Sequence, residues 1–242
     1  MAGHSKWANI KHKKARRDEK KVKIYQKLIK EITVAARLGG ADVSGNPKLK
    51  LALIKAKAQS LPNKNIESSI AKGAGINNGE KFEECMYEGY GPSGTAFIIK
   101  CLTDNKTRTV ADVRYIFNRN HGNMGETGSV AWGFNHLGKI IIEKTEIEEE
   151  KLMALAIEAG AEDVDLHDEV YEITTQIKDF AQVADTLESH SILMINAEVS
   201  YFPENTVNVS ATEAEALQKM IEIFEDHEDI SDVIHNVAFP DE

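Results

Sequence analysis

The chain has 242 residues, of which 42% are hydrophobic and 28% are charged, so it is long enough for two or three domains and too apolar to be disordered throughout. No apolar run approaches the roughly 20 residues that cross a bilayer, and no apolar signal segment opens the sequence, so we expect a cytoplasmic protein that binds no membrane. The formal net charge of −10 divides into +13 on residues 1–79 and −23 on the remainder, which predicts a basic module for a polyanion, joined to an acidic body.

The first predicted elements are a basic arm and a long helix. Residues 1–18 are rich in Lys and Arg and poor in large apolar side chains, which predicts a mobile arm. A helix is predicted over residues 19–38, because apolar residues recur there at helical spacing and form a single buried stripe. The stripe consists of Ile24, Tyr25, Leu28, Ile29, Ile32, Ala35 and Ala36. The opposite face of this helix is basic, with Lys20, Lys23, Lys27, Lys30 and Arg37.

Two further helices are predicted before a linker. Asn46 and Pro47 are typical of a helix cap and first turn, and they begin a lysine-rich helix that continues to residue 59. Pro62 begins a third helix, which is predicted to end at residue 73. The glycine-rich segment 73–79 is typical of a linker, so the three helices form a small N-terminal domain.

The rest of the chain alternates between strand and helix patterns. Strands are predicted at 82–89, 94–102, 129–135, 138–143, within 163–174, at 195–201, 207–209 and 230–239, and helices at 107–120, 147–159, 178–189 and 212–226. Strand pairs followed by helices, repeated twice, indicate two small ferredoxin-like α+β domains. We therefore predict an α+β multidomain protein, in which a three-helix domain precedes the two sheet domains.

Several segments resemble the YebC/PmpR family. They are AGHSKWANIKH at 2–12, AARLGGAD at 35–42, NP at 46–47, KGAG at 72–75, YEGYGP at 87–92, TDN at 103–105, RTVADVR at 108–114 and GETGSV at 125–130. The resemblance implies three domains: residues 1–80, residues 81–130 with 204–242, and an inserted domain at 131–203. Members are described as probable DNA-binding transcriptional regulators. Others, including the mitochondrial translational activator of cytochrome oxidase subunit I, are described as ribosome-associated translation factors.

The sequence departs from the family pattern at two positions. Ser69 lies where members commonly have a basic residue in the third helix, which weakens the expected contribution of that helix to phosphate binding. His121 lies where a glycine is usual.

A nucleic-acid-binding surface is predicted on residues 1–79, which contain 18 Lys and Arg but only five Asp and Glu. Its predicted residues are Lys6, Trp7, Lys11, His12, Lys13, Lys14, Arg16, Arg17, Lys20, Lys23, Lys27, Lys30, Arg37, Lys48, Lys55 and Lys57. Two alternatives remain open. The basic helix face could also be a solvated surface, although the local charge of +13 and the basic arm favour nucleic-acid contact, and Trp7 either stacks on a base or anchors the arm to its own domain.

The sequence predicts neither an enzyme nor a metal or cofactor site. It contains no nucleophile elbow, HExxH, P-loop or dinucleotide fingerprint. Cys85 and Cys101 lack the spacing of zinc ligands and are predicted to be buried thiols, and His4 and His12 are too few for a metal site. The glycines between residues 122 and 128 predict a tight turn rather than a phosphate cradle. We expect no small-molecule substrate.

The identity of the nucleic acid stays open between ribosomal RNA and promoter DNA. The basic helix faces are dominated by Lys, which suits phosphates better than base edges, and a basic arm that contains Trp suits structured RNA. These features favour a ribosome-associated translation factor. A DNA-binding transcriptional regulator is the alternative, and a protein-interaction scaffold that uses the acidic domains is a second alternative.

Overall fold

The computed structural model describes residues 17–75 and 82–240, and the side chains among these from residue 21 onward. The described residues form two compact units. The first unit combines residues 17–75 with residues 136–200, and the second combines residues 82–135 with residues 201–240. The predicted α+β class is confirmed, with a helical N-terminal part followed by sheet domains, one of which interrupts the other in sequence.

Seven helices and ten strands follow one another within the described residues. In chain order they are α1 (Arg17–Gly39), α2 (Pro47–Ala58), α3 (Asn63–Gly75), β1 (Glu83–Tyr90), β2 (Ala96–Thr103), α4 (Lys106–Arg119), β3 (Asn123–Met124), β4 (Phe134–Glu143), α5 (Glu149–Ala159), β5 (Asp163–Leu166), β6 (Val170–Thr175), α6 (Ile177–Ser189), β7 (Met194–Pro203), β8 (Val207–Asn208), α7 (Ala211–Asp226), β9 (Ile230–His235) and β10 (Val237–Ala238).

The predicted cap of the second helix is confirmed and also joins two helices. The side-chain oxygen of Asn46 accepts a hydrogen bond from the backbone N–H of Leu49 at 3.1 Å. Its side-chain nitrogen donates to the carbonyl oxygens of Ala35 and Gly40, at 2.8 Å each. Asn46 is buried, so this one side chain ties the end of α1 to the start of α2.

The core of the helical part lies between α1 and the two helices that cover it. It is built mainly from Leu28, Ile32, Leu49, Ala56, Leu61 and Ile66. Helix α3 approaches α1 so closely that a Cβ atom on Gly73 would lie 2.3 Å from the carbonyl oxygen of Thr33. In the second half of α1, the buried face is wider than the single apolar stripe that the sequence predicts. There Thr33 and Val34 are also buried, because α2 and α3 both pack against α1.

The sheet of the first unit has the βαββαβ order of ferredoxin-like domains, with strands arranged β5-β6-β4-β7. Strand β6 pairs antiparallel with both β4 and β5. The core beneath it contains Ile140, Ile142, Ile173, Phe180 and Leu187, all fully buried. Ile54 and Ala58 of α2 belong to the same cluster, so α2 packs into the core of this sheet domain as well as into that of the helical part.

The second unit has a four-stranded sheet in the order β3-β1-β2-β9, with antiparallel pairing throughout. Phe97, Phe117 and Phe224 lie at the centre of its core, where the rings of Phe117 and Phe224 are 5.0 Å apart between centroids. Helix α7 begins with a capping box between Ser210 and Glu213. Hydrogen bonds to Ser93 and then Ser210 lower the pKa of Glu213 to about 2.

The predicted strand over residues 129–135 is wrong. A 3-10 turn occupies Ala131–Gly133, and β4 begins only at Phe134. The buried carboxylate of Glu88 in β1 accepts hydrogen bonds from three backbone N–H groups in this loop. Those groups are therefore held as a turn and cannot join a strand ladder.

The predicted three-domain division stays a prediction, since the described contacts group residues 17–75 and 136–200 into one unit. Cys85 and Cys101 are free thiols that face each other directly in the register of β1 and β2. Cys101 is buried as predicted, whereas Cys85 is only half-buried.

Over residues 17–75 and 82–240, no helix is both long and apolar enough to cross a membrane. Nor does this part of the chain place three or more metal-ligating side chains together.

Candidate nucleic-acid interface

The basic residues of α1 are only partly directed into solvent. Lys23 is exposed, whereas Lys27, Lys30 and Arg37 are half-buried. Leu28 lies on the other side of the helix, with 3% exposure, so the predicted separation of a basic and an apolar face holds for the first half of α1. Arg17 and Lys20 lie in the first turn of α1, where the backbone alone is described.

The predicted contacts of the basic arm lie outside the described residues. They are Lys6, Trp7, Lys11, His12, Lys13, Lys14 and Arg16.

Two lysines of α2 form ion pairs with acidic residues of α6. The Nζ of Lys50 lies 2.6 Å from a carboxylate oxygen of Asp185, and the Nζ of Lys57 lies 2.6 Å from one of Glu188. About half of each carboxyl side chain remains exposed. Pairs this accessible to water contribute about 0–1 kcal/mol, so a phosphate group can displace them at little cost.

Of the two ion-paired lysines, only Lys57 is a predicted binding residue. Lys48 and Lys55, the other predicted lysines of α2, differ in their surroundings. Lys48 is exposed near the start of the helix. The Nζ of Lys55 lies 3.3 Å from a carboxylate oxygen of Glu31 on α1, and 24% of the Lys55 side chain is exposed. Lys55 therefore bridges two helices, whereas Lys48 is the more exposed of the two.

The two positions expected to depart from the family pattern, Ser69 and His121, have different surroundings. Ser69 is buried in α3, and its hydroxyl donates to the carbonyl oxygen of Asn65 at 2.6 Å, so this position offers nothing to a phosphate. His121 has a φ of 58°, in the left-handed region that favours glycine. Histidine tolerates this conformation better than most side chains do.

The glycine-rich loop that follows α4 forms a turn, as predicted, and its N–H groups are already occupied. Glu88 accepts hydrogen bonds from the N–H groups of Gly128, Val130 and Ala131 at 2.6, 2.8 and 2.8 Å. Glu88 has only 2% exposure. The protein's own carboxylate thus occupies the amides that a bound phosphate would need.

Comparison with known proteins identifies the family. The profile described as the TACO1/YebC protein N-terminal domain matches residues 5–76, and the profile described as the TACO1/YebC second and third domain matches residues 82–237. The chain belongs to the TACO1/YebC family. The three-helix part described above corresponds to the N-terminal domain of that family.

Full-length relatives and a solved structure support this membership. A protein of Caldanaerobacter subterraneus subsp. tengcongensis is 49% identical, with 100% of each chain covered. One of Polynucleobacter asymbioticus is 47% identical over 98% of this chain and 100% of its own. Both are named probable transcriptional regulatory protein. The crystal structure of a conserved hypothetical protein from Aquifex aeolicus is 39% identical, covers 94% of each chain and has a TM-score of 0.79.

Sequence reasoning missed several exposed basic residues in this TACO1/YebC chain. Lys21, Lys64 and Lys72 lie on the surfaces of α1 and α3. Arg114 and Arg119 lie on the surface of α4 in the acidic part. The helical spacing of the buried residues Val113, Ile116 and Phe117 was the signal that could have placed both arginines on the solvent side.

Proposed function

We propose that this chain is a non-enzymatic regulator of gene expression that binds the phosphate backbone of nucleic acid through its basic N-terminal part. The net charge of +13 on residues 1–79, within a chain of net −10, carries the proposal. Exposed Lys23 and Lys48, together with the weakly held Lys50 and Lys57, supply cations on two neighbouring helices. The names of the relatives support a regulatory role.

The nucleic acid that fits these helices best is ribosomal RNA, bound in the cytoplasm. Lys predominates on α1 and α2, and a lysine ammonium binds phosphate as a point charge instead of reading base edges. Sequence-specific DNA readers usually place Arg, Asn or Gln in the major groove. We therefore infer a ribosome-associated translation factor. Regulation of transcription through promoter DNA is the second candidate, because the relatives are named for it.

Sedimentation of cell lysate tests this proposal. After DNase treatment at moderate salt, the intact chain is expected to sediment with ribosomes. A variant with Lys23, Lys27 and Lys30 all changed to Glu is expected to remain at the top of the gradient, because three phosphate contacts become repulsive. A variant with Lys151, Lys178 and Lys219 changed to Glu makes the same change in net charge on the acidic part, and it should still sediment.

Two further measurements separate the alternatives. Leu28→Ala removes a buried side chain and should lower the free energy of unfolding by about 2–5 kcal/mol, whereas the Lys23/Lys27/Lys30 variant changes one exposed and two half-buried side chains and should lose less stability than Leu28→Ala. If the charge reversals unfold the protein, the face assignment of α1 is wrong. If the intact chain stays at the top of the gradient and prefers one promoter over random duplex, the transcriptional candidate is correct.

The acidic domains give the third candidate, a protein-interaction scaffold. Partner binding would then survive the Lys23/Lys27/Lys30 variant, since the acidic surface is unchanged. Retention of every partner by that variant would contradict the nucleic-acid proposal.

A further inference from the structure

Helix α4 presents a basic and aromatic surface within the acidic part of the chain. Its buried side consists of Thr109, Val113, Ile116 and Phe117. Its opposite side exposes Arg114, Tyr115, Asn118 and Arg119, and Tyr115 as a whole residue is 61% exposed. Residues four apart on a helix are neighbours, so Arg119 adjoins Tyr115 and Asn118 adjoins Arg114.

Helix α4 has a positive net charge, whereas residues 80–242 as a whole are strongly acidic. Residues 80–242 have a net charge of −23 and contain only three arginines, all of which lie on α4. Arg108 has a structural role, because its guanidinium donates hydrogen bonds to Asp229 at 2.7 Å and to Asp104 at 2.9 Å. These hydrogen bonds, that to Asp229 first, raise the pKa of Arg108 above its ordinary value.

The remaining two arginines are available to a ligand. Within residues 17–75 and 82–240, neither Arg114 nor Arg119 forms an ion pair with an acidic side chain. The acid of the same helix, Asp112, lies 3.2 Å from the imidazole of His227. The helix dipole places about half a negative charge near Arg119, but two full guanidinium charges outweigh it.

The side chains on this surface match one kind of ligand. A guanidinium binds phosphate oxygens in a bidentate manner, and an exposed tyrosine ring stacks on a base that is not paired. Asn118 can hydrogen-bond to a base edge or to a sugar hydroxyl. A duplex buries its base faces in its own stack, so it can use the arginines of this surface but not the tyrosine.

We propose that the exposed side of α4 is a second nucleic-acid contact, which binds an unpaired segment of RNA through Arg114, Tyr115, Asn118 and Arg119. The proposal rests on the proposed function only in that the chain binds nucleic acid, because α4 belongs to the other compact unit. The helical part contacts the phosphate backbone without selecting its strandedness. The α4 surface adds a preference for unpaired bases.

The test measures binding of the full-length chain to a fluorescein-labelled 12-nucleotide oligouridylate and to a 12-base-pair duplex DNA. Tyr115→Ala should weaken oligouridylate binding by about 5- to 150-fold and leave duplex binding unchanged, whereas Tyr115→Phe should bind both as wild type does. The double variant Arg114→Gln/Arg119→Gln should reduce the slope of log K against log salt for oligouridylate by roughly 1.4, since two phosphate contacts are lost.

The control makes the same charge change elsewhere. Lys151→Gln/Lys178→Gln alters two exposed lysines of the insert and should leave both affinities unchanged. All variants should melt within about 2 °C of wild type, because the altered side chains are exposed. If the α4 variants bind oligouridylate as this control does, the proposal is overturned.

Ultraviolet crosslinking to oligouridylate separates the two proposals. Trypsin cleaves after Arg114 and Arg119, so a crosslink at Tyr115 appears on the peptide of residues 115–119. Crosslinks there, retained in the Lys23/Lys27/Lys30 to Glu variant at higher protein concentration, support the α4 contact. Crosslinks confined to the helical part overturn the α4 contact and leave the proposed function standing. Wild-type affinity in the Lys23/Lys27/Lys30 variant overturns the role of the helical part and leaves the α4 contact standing.

Discussion

Glu88 combines a negative charge with almost complete burial, and three backbone N–H groups compensate for its lost hydration. Hydrogen bonds to a charged acceptor contribute roughly 1.5–3 kcal/mol each, whereas an isolated buried carboxylate is strongly unfavourable. The loop between Gly128 and Ala131 cannot move away without leaving that charge uncompensated. Nearby, Tyr90 and Trp132 both donate to the carbonyl oxygen of Ser129, at 2.9 and 3.0 Å, so the exposed Trp132 ring is fixed to the same loop.

Glu88→Gln should lower the free energy of unfolding by about 2–4 kcal/mol, because the amide has one acceptor oxygen and directs an NH₂ group at backbone donors. Urea denaturation measures the loss, and hydrogen exchange should show reduced protection at Gly128, Val130 and Ala131. Glu83→Gln changes an exposed residue of the same strand and should alter stability by no more than about 0.5 kcal/mol. Equal effects of the two substitutions would mean that the loop does not depend on the carboxylate.

At the scale of elements, acidic side chains of α6 pair with two lysines of α2 that belong to the proposed phosphate-binding surface. Asp185 and Glu188 are three positions apart on α6 and each holds one lysine of α2. The same α2 uses Ile54 and Ala58 to reach the core of the insert. The apolar side of α2 therefore fixes its position, and its polar side is partly neutralised where it meets α6.

Release of these lysines should strengthen binding to nucleic acid. The double variant Asp185→Asn/Glu188→Gln should bind a labelled duplex about 2- to 10-fold more tightly at low salt, measured by fluorescence anisotropy, since two weak exposed ion pairs no longer compete. Glu149→Gln/Glu150→Gln makes the same change in net charge on α5, far in sequence from these lysines. A matching gain in that control would show that overall charge is responsible and not the ion pairs.

Local patterns predicted most of the elements, and distant contacts explain the exceptions. The helix bounds agree closely because apolar spacing, the Asn46 cap and the glycine stops are all local features. The strand at 129–135 was wrong because Glu88, some 40 positions away, bonds to the loop. The ion pairs of Lys50 and Lys57 could not be predicted from local patterns either, because their partners Asp185 and Glu188 lie more than 130 positions further along the chain.

At the scale of the whole molecule, charge is segregated between the ends of the sequence. A net charge of +13 on residues 1–79 attracts a polyanion, and −23 on the remainder repels it from most of the other surface. Under the proposed function, this distribution of charge would orient a nucleic acid towards the basic part. Of the regions that the structure describes in the acidic part, α4 is the helix where arginines interrupt this repulsion.

Binding to nucleic acid should therefore be electrostatic and tolerant of sequence. If about six phosphates are contacted, log K should fall against log salt with a slope of roughly −4 to −5, as counterions are released. Titrations of the full-length chain between 50 and 200 mM salt, on the order of the physiological range, measure this slope. An affinity that does not change with salt would contradict the proposal, as would a strong preference for one sequence at constant salt.

The position of β2 between β1 and β9 sets an order of events during translation. β2 is complete at Thr103, but its second neighbour begins only at Ile230. At a synthesis rate of about 5–20 residues per second, the intervening chain takes roughly 6–25 s to appear. Throughout that time the backbone N–H and C=O groups along one edge of β2 have no strand beside them. The same strand contains the apolar residues Phe97, Ile98 and Ile99, which are buried in the complete fold. The four strands of the insert, β4 to β7, are all synthesised within this interval. The sheet of the insert can therefore form before β9 completes the sheet of the second unit.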